Sequence, residues 1–242
     1  MKGPPLTTME ASIIIPTYNE RDNIGLLIDR IERVQNSRGL MLEIIVVDDN
    51  SSDGTIEIVQ DLMGKYDNVK LLKRPRKMGL GSAYKDGFKL STKPVIVTMD
   101  ADLSHDPNVL PNLISPIYNG DADIVLGSRY IPGGAIEGWP IKRRIISKGA
   151  NFLAKLVLGL NVKDATTGYR AYRRSIFEQI TKYSKRCYFD FQIEVLYFAK
   201  KFKWKVTEVP IVFRDRSKGK SKFNIREVLK FAWALLGLRL GL

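Results

Sequence analysis

The chain has 242 residues, 44% of them hydrophobic and 27% charged. That is enough to bury a large core, and too ordinary a composition for a disordered or collagen-like class. The formal charge of +13 points to polyanionic partners, whether nucleic acid, an anionic membrane surface or phosphorylated substrates. A lone cysteine, Cys187, excludes an intrachain disulfide, and a lone histidine, His105, puts the usual zinc ligand sets out of reach; a bound metal must be held by oxygen, as magnesium and manganese are.

The opening MKGPPLTTMEAS lacks the apolar centre of a signal peptide, and no apolar run reaches the roughly 20 residues of a spanning helix. The chain is therefore expected in the cytosol. Short β-branched runs follow, at Ser12–Ile15, Glu43–Val47, Val69–Leu72, Val95–Met99, Asp123–Leu126 and Val206–Phe213. Segments of helical period, such as Asn23–Val34 and Thr55–Tyr66, lie between the first five. The alternation predicts an α/β fold, a mostly parallel sheet with helices on both faces. One catalytic domain is expected over residues 1–223, with a weak candidate boundary in the Gly/Pro-rich stretch Pro132–Pro140. A C-terminal helix is expected over 224–242, where Val228, Leu229, Phe231, Trp233, Leu235, Leu236 and Leu238 leave apolar residues on nearly every side. Such a helix packs on the core or faces lipid or a membrane-embedded partner, with Lys230 and Arg239 reaching head groups.

Ligands of open parallel sheets bind beyond the carboxyl ends of the strands, and here polar clusters follow four runs in turn. Asp100-Ala-Asp102 closes the fourth. Carboxylates at i and i+2 of an extended segment share a face, and together they suit a hard divalent cation bridging a nucleotide diphosphate. Asp48-Asp49 closes the second. Ser51-Ser52-Asp53-Gly54 reads as turn and N-cap chemistry, but two adjacent carboxylates repel unless something cationic or hydrogen-bonding is bound, which favours a ligand role for Asp49. After the first run, Tyr18 offers a ring for stacking a base, while Thr17 and Glu20 stand at capping-box spacing. The basic segment Arg214–Lys222 reads as a solvated loop or as a lid ordering over a phosphate, Arg216 and Lys222 being its main candidates. Arg129 and Arg143 are further anion-binding candidates. Asp164–Gly168 reads first as a tight turn.

Ile14-Ile-Pro-Thr-Tyr-Asn-Glu20, Val46-Val-Asp-Asp-Asn-Ser-Ser-Asp-Gly-Thr55, Asp100-Ala-Asp-Leu-Ser-His105 and Gly127-Ser-Arg-Tyr130 together resemble the motifs of the family 2 inverting glycosyltransferases of the GT-A fold. Gly79–Tyr84, Lys142–Asn151 and Asp215–Lys222 are similar to the dolichol-phosphate mannose synthases within that family, and the likeness runs from about Ser12 to Phe231. It implies transfer of mannose from GDP-mannose to a dolichyl or other polyprenyl phosphate, on the cytosolic face of a membrane: the endoplasmic reticulum in a eukaryote, the plasma membrane in an archaeon or bacterium. Carried over by position, it implies nucleotide-sugar contacts at Pro16, Tyr18, Glu20, Val47, Asp49, Asp100, Ala101, Asp102, Arg129, Arg216 and Lys222. It implies Mg²⁺ or Mn²⁺ at Asp102 and Ser104, where serine, shorter than the glutamine of some relatives, leaves room for a bridging water. The single-domain length is similar to that of the synthases without C-terminal transmembrane helices, which use a separate small membrane-anchoring subunit, and a chain cut before such helices would look the same.

A phosphate monoester is already largely dianionic at neutral pH, so no serine–histidine or cysteine–histidine pair is required, and none is offered. The expected mechanism has Asp102 and the metal stabilising the leaving GDP, and Arg129 and Arg143 holding the lipid phosphate in line. The 214–222 lid closes over both. A polyprenyl-phosphate glucosyltransferase using UDP-glucose is the second reading. A nucleic-acid-binding protein is a third, weakened by the acidic clusters that would repel a nucleic-acid backbone at the crevice.

Overall fold

A computed structural model of the chain describes residues 8–188, 190–215 and 225–240. Its strands are β1 (Glu10–Thr17), β2 (Met41–Asp48), β3 (Val69–Lys73), β4 (Val95–Thr98), β5 (Ile124–Ser128), β6 (Ala135–Glu137), β7 (Arg170–Arg173), β8 (Val206–Pro210) and β9 (Val212–Arg214). The helices are α1 (Arg21–Arg38), α2 (Thr55–Lys65), α3 (Leu80–Leu90), α4 (Leu110–Tyr118), α5 (Ile141–Leu158), α6 (Arg174–Tyr183), α7 (Phe191–Lys201) and α8 (Ile225–Leu240). Seven strands form one sheet in the order β3-β2-β1-β4-β7-β5-β8, and β6 pairs with β9 in a two-stranded ribbon. Within the main sheet β7 is antiparallel to both its neighbours, while the other pairings are parallel. The carboxyl ends of β1, β2, β4 and β5 therefore share one edge, as expected for a mostly parallel α/β sheet.

Alternation along the strands builds the two core layers. Ile13, Ile15, Ile44 and Val46 pack with Ile24, Leu27, Ile28 and Ile31 of α1 and with Leu113 and Ile114 of α4. Ile14, Ile45, Val47 and Ile96 face the opposite way, onto Ala83 and Tyr84 of α3 and the Phe191 end of α7. Gly87 lets α3 come close: a Cβ there would lie 2.5 Å from Ile14 Cγ2. The inner face of α8 joins this second layer through Leu235 and Leu238, and Trp233, Leu236 and Leu240 stay exposed.

Two expectations about strands are corrected. The run Val206–Phe213 is not one strand: β8 stays in the main sheet, and after Ile211 the chain joins β6 as β9. Pro210 has no N–H for the ladder, so the sheet ends there. β7 was not expected at all. Arg-Ala-Tyr-Arg has no β-branched run, and its central position depends on a fully buried Arg170 that donates to the carbonyls of Thr167, Gln192 and Ala165.

Candidate active site

The loops after β1 and β2 are stitched to each other. Asn19 Oδ1 accepts from the Ser52 amide at 3.0 Å, the Asn19 amide donates to Ser51 Oγ, and the Glu20 amide donates to Thr55 Oγ1. Thr17 is taken by Asp48 at 2.8 Å, and Asp48, fully buried, also accepts from the Ser51 amide and hydroxyl. The capping box expected of Thr17 and Glu20 is therefore absent. Helix α1 starts at Arg21, and Glu20 instead accepts from Asn23 Nδ2 at 2.8 Å. Pro16 and Val47, both implied nucleotide contacts, are register partners on β1 and β2. The Val47 side chain is fully buried, so only its main chain could meet a ligand. Tyr18 is half-exposed, with Lys77 Nζ 4.6 Å from its ring centroid.

The repulsion that pointed to a ligand at Asp49 has an internal answer. Buried Arg74 lies against Asp49 as an ion pair and also reaches Ser82 Oγ, Asp86 and the Gly79 carbonyl. Asp49 Oδ2 accepts from the Met78 amide at 3.3 Å. The loop between β3 and α3 thus forms a wall beside Asp49. Sequence reasoning passed over Arg74, although it directly follows β3 in the cluster of charges there.

Asp100 and Asp102 do not continue β4 in extended form; they lie in a bend closed by their neighbours. The Asp100 amide donates to His105 Nδ1 at 3.1 Å, and Leu103 adopts a left-handed φ of 63°. Asp102 Oδ1 accepts from the Ser104 amide at 3.1 Å and from its hydroxyl at 2.5 Å. His105 is buried and stacked on Tyr169 at 4.7 Å. Burial lowers its pKa, with the charges of Asp100 and Asp102 opposing, and its Nε2 lies 3.8 Å from Asp100 Oδ2.

This donor set is all oxygen and suits a hard cation. Among the described residues no group of three or more acidic, histidine or cysteine side chains could enclose one. Asp100 and Asp102 are the residues that would hold such an ion, a Mg²⁺ or Mn²⁺, and it would supply positive charge at the end of β4. Ser104 donates a hydrogen bond from its hydroxyl to Asp102, which fixes the carboxylate's orientation.

On the far side of the crevice Arg129, at the end of β5, is buried against Asp164. Its Nε and Nη2 donate to the two carboxylate oxygens at 2.7 Å each, its amide donates to Oδ2 at 3.0 Å, and Nη2 also reaches Thr166. Burial raises the Asp164 pKa, yet the adjacent Arg129 charge outweighs it and holds the carboxylate below its ordinary value. Asp164, read first as part of a tight turn and secondarily as shaping the acceptor pocket, is the counter-ion of a candidate site residue. Arg143 pairs with Asp215 at 2.9 Å and lies 4.0 Å over the Trp139 ring. Arg129 also lines a groove of about 500 Å³ with Arg144, Lys148, Lys155 and Lys163, among apolar walls that include Ile136 and Phe152. Arg216 and Lys222 lie outside the described residues.

The family model for glycosyl transferase family 2 matches residues 12–181. The chain belongs to that family. Among relatives of this family 2 glycosyltransferase, a dolichol-phosphate mannosyltransferase of Pyrococcus furiosus is 42% identical over 92% of the chain and 62% of the relative. The chain thus spans less than two thirds of that protein's length. A polyprenol monophosphomannose synthase of Mycolicibacterium smegmatis is 40% identical over 96% of the chain and 88% of the relative. Glucosyl-3-phosphoglycerate synthase of Mycobacterium tuberculosis, crystallised with Mn²⁺, UDP and phosphoglyceric acid, superposes with a TM-score of 0.71 at 20% identity, covering 97% of this chain and 79% of that one. A form of the same enzyme with Mg²⁺ and UDP gives the same score. At that identity the likeness establishes the shared fold of the transferase, GT-A.

Proposed function

We propose that this transferase moves a mannosyl group from GDP-mannose to a dolichyl or other polyprenyl phosphate, with inversion at the anomeric carbon. The observation that carries the reading is an acidic bend at the end of β4 linked through His105 and Phe213 to Arg129, which lines a basic groove. The names of the two relatives supply the mannosyl group and the lipid acceptor.

In this reading Tyr18, Glu20, Asp49 and the main chain at Pro16 and Val47 receive the nucleoside, and Asp100, Ala101 and Asp102 lie under the diphosphate. A divalent ion on the two carboxylates would supply charge neutralisation on the departing nucleotide. An oxygen of the acceptor phosphate attacks the anomeric carbon. The bond from that carbon to the diphosphate breaks, and GDP leaves with the electron pair. No side chain removes a proton, because the dianionic monoester has none to lose at the attacking oxygen. Arg143 and the lysines of the groove steer the lipid phosphate, and the contribution of Arg129 is to keep the groove's inner wall positive while Asp164 fixes its fork.

The acceptor places the enzyme at a membrane surface. No helix of the described residues is long and apolar enough to cross one. Ile141, Ile145, Phe152 and Leu156 nevertheless stand exposed along one stripe of α5, interleaved with Lys148 and Lys155, the pattern of a helix lying in a lipid interface. A membrane-anchoring subunit is a compatible partner for the exposed stripe of α8. Purified protein with Mg²⁺ or Mn²⁺, a panel of labelled sugar nucleotides and dolichyl phosphate provides the test. Labelled lipid from GDP-mannose alone supports the reading; label from UDP-glucose, or from no donor, overturns it.

A further inference from the structure

Trp139 packs between Phe213 and the guanidinium groups of Arg129 and Arg143. It stands just before α5 and is nearly buried, and its indole Nε1–H has no hydrogen-bond partner among the described residues. A buried donor left unpaired is a cost that native structures rarely carry without a ligand, ion or water to meet it. Its surroundings are cationic. The Arg143 guanidinium lies 4.0 Å from the ring centroid and that of Arg129 5.4 Å away. Two like charges over one indole are held by the ring's quadrupole, and together they leave an unpaired N–H donor in a field that favours an anion. The ring is anchored in turn: Phe213 meets it edge-on at 5.2 Å, His105 meets Phe213 at 5.8 Å, and His105 accepts from the Asp100 amide. A continuous aromatic wall thus runs from the acidic bend to the two arginines.

We infer that Trp139 is a binding and positioning residue for the acceptor. Its ring sets Arg129 and Arg143 at a fixed separation, and its Nε1–H donates to an oxygen of the phosphate monoester. The inference rests on the function proposed above and adds to it the group that aligns the phosphate between the arginines. Arg143 is tied to Asp215 and Arg129 to Asp164, so neither guanidinium brings its whole fork to the anion, and the indole N–H supplies a donor with no competing acceptor.

The test compares the wild type with Trp139→Phe, which keeps a ring under the arginines and removes the N–H, and with Trp139→Leu, which removes both. Binding of geranyl phosphate, a short-chain prenyl phosphate, is titrated calorimetrically alongside GDP. Kinetic constants for donor and acceptor are measured in parallel, with Tm as the check on folding. The expected result is about a tenfold weaker Kd for geranyl phosphate in Trp139→Phe and a larger loss in Trp139→Leu, with the GDP Kd and the Tm of Trp139→Phe unchanged. Raised acceptor KM with constant donor KM is the matching kinetic result. Wild-type affinity for geranyl phosphate in Trp139→Phe overturns the inference, as does failure of the wild type to bind geranyl phosphate. Loss of GDP and geranyl phosphate binding in equal measure reduces Trp139 to a structural role and overturns it too. A wild type that binds the prenyl phosphate in a Trp139-dependent way but transfers no mannose sinks the proposed donor alone.

Discussion

Arg129 and Asp164 meet through two parallel hydrogen bonds of 2.7 Å, with the Arg129 amide closing on the same carboxylate at 3.0 Å. Both side chains are withdrawn from water, and a buried pair of this kind is costly to break from one side because the survivor keeps its charge without a partner. Asp164→Asn is expected to lower stability by about 3–5 kcal/mol, measured by urea unfolding at neutral pH. Folded Asp164 has its pKa below the ordinary 3.8. Its contribution is therefore complete above about pH 3.8 and is lost as the pH falls from there toward the lowered value. The stability gap between wild type and Asp164→Asn should be constant from pH 7 to 4 and narrow below that. A gap that widens with acidity contradicts the pairing.

Arg74 performs the corresponding duty beside Asp49, on the side proposed for the nucleotide. It joins Asp49 to Ser82, Asp86 and Gly79, so Arg74→Met strands one nearly buried carboxylate and loosens the wall next to it. Beyond a loss of about 3–5 kcal/mol in stability, the variant should show a raised donor KM with little change in acceptor KM. Saturating GDP stabilises the wild type by about 2.7 kcal/mol at 100 times its Kd; at that same GDP concentration the variant should gain less. An undiminished GDP-induced rise in Tm would remove Asp49 from the nucleotide site.

The strand ends that bear Asp49, Asp100 and Asp102 were legible in the sequence because β-branched runs followed by polar clusters report the sheet and its carboxyl edge together, although the extended form expected of Asp100–Asp102 gives way to a bend. Partnerships across long separations were not. Asp164 reads locally as a turn, and only the fold brings it 35 residues back to Arg129; Arg74 reads as one of several loop cations until burial singles it out. β7 escaped for a similar reason: the hydrogen bonds that make its buried Arg170 tolerable come from residues in loops and in α7. The Thr17–Glu20 spacing misled because the buried Asp48 took the threonine hydroxyl first.

Ser104 separates orientation from ligation. Its hydroxyl donates to Asp102 Oδ1 at 2.5 Å, and loss of such an outer contact typically costs 10- to 100-fold in metal affinity or activity. Ser104→Ala should therefore raise the Mg²⁺ or Mn²⁺ concentration needed for half-maximal transfer by roughly that factor, and saturating metal should restore most of the rate. Asp102→Ala should abolish transfer at any metal concentration with the Tm preserved. Wild-type turnover in Asp102→Ala would end the metal reading, and an unshifted metal requirement in Ser104→Ala would leave the serine with no part in it.

The exposed stripe of α5 makes a separate prediction about membranes. Phe152 and Ile145 are each about two thirds exposed, so neither contributes much to the core, and Phe152→Glu or Ile145→Glu should leave the Tm nearly unchanged. If the stripe sits in lipid, each substitution removes apolar burial of about 1.5–3 kcal/mol and sets a carboxylate against an anionic surface. Sedimentation with vesicles containing phosphatidylserine should then show at least tenfold weaker binding for either variant. Transfer to a short, water-soluble prenyl phosphate should continue at the wild-type rate in Ile145→Glu, which lies outside the groove, whereas Phe152→Glu sets a carboxylate on the groove wall and should slow it. Transfer to long-chain dolichyl phosphate in vesicles should fall in proportion to binding, and undiminished vesicle binding by both variants would rule out α5 as the docking surface.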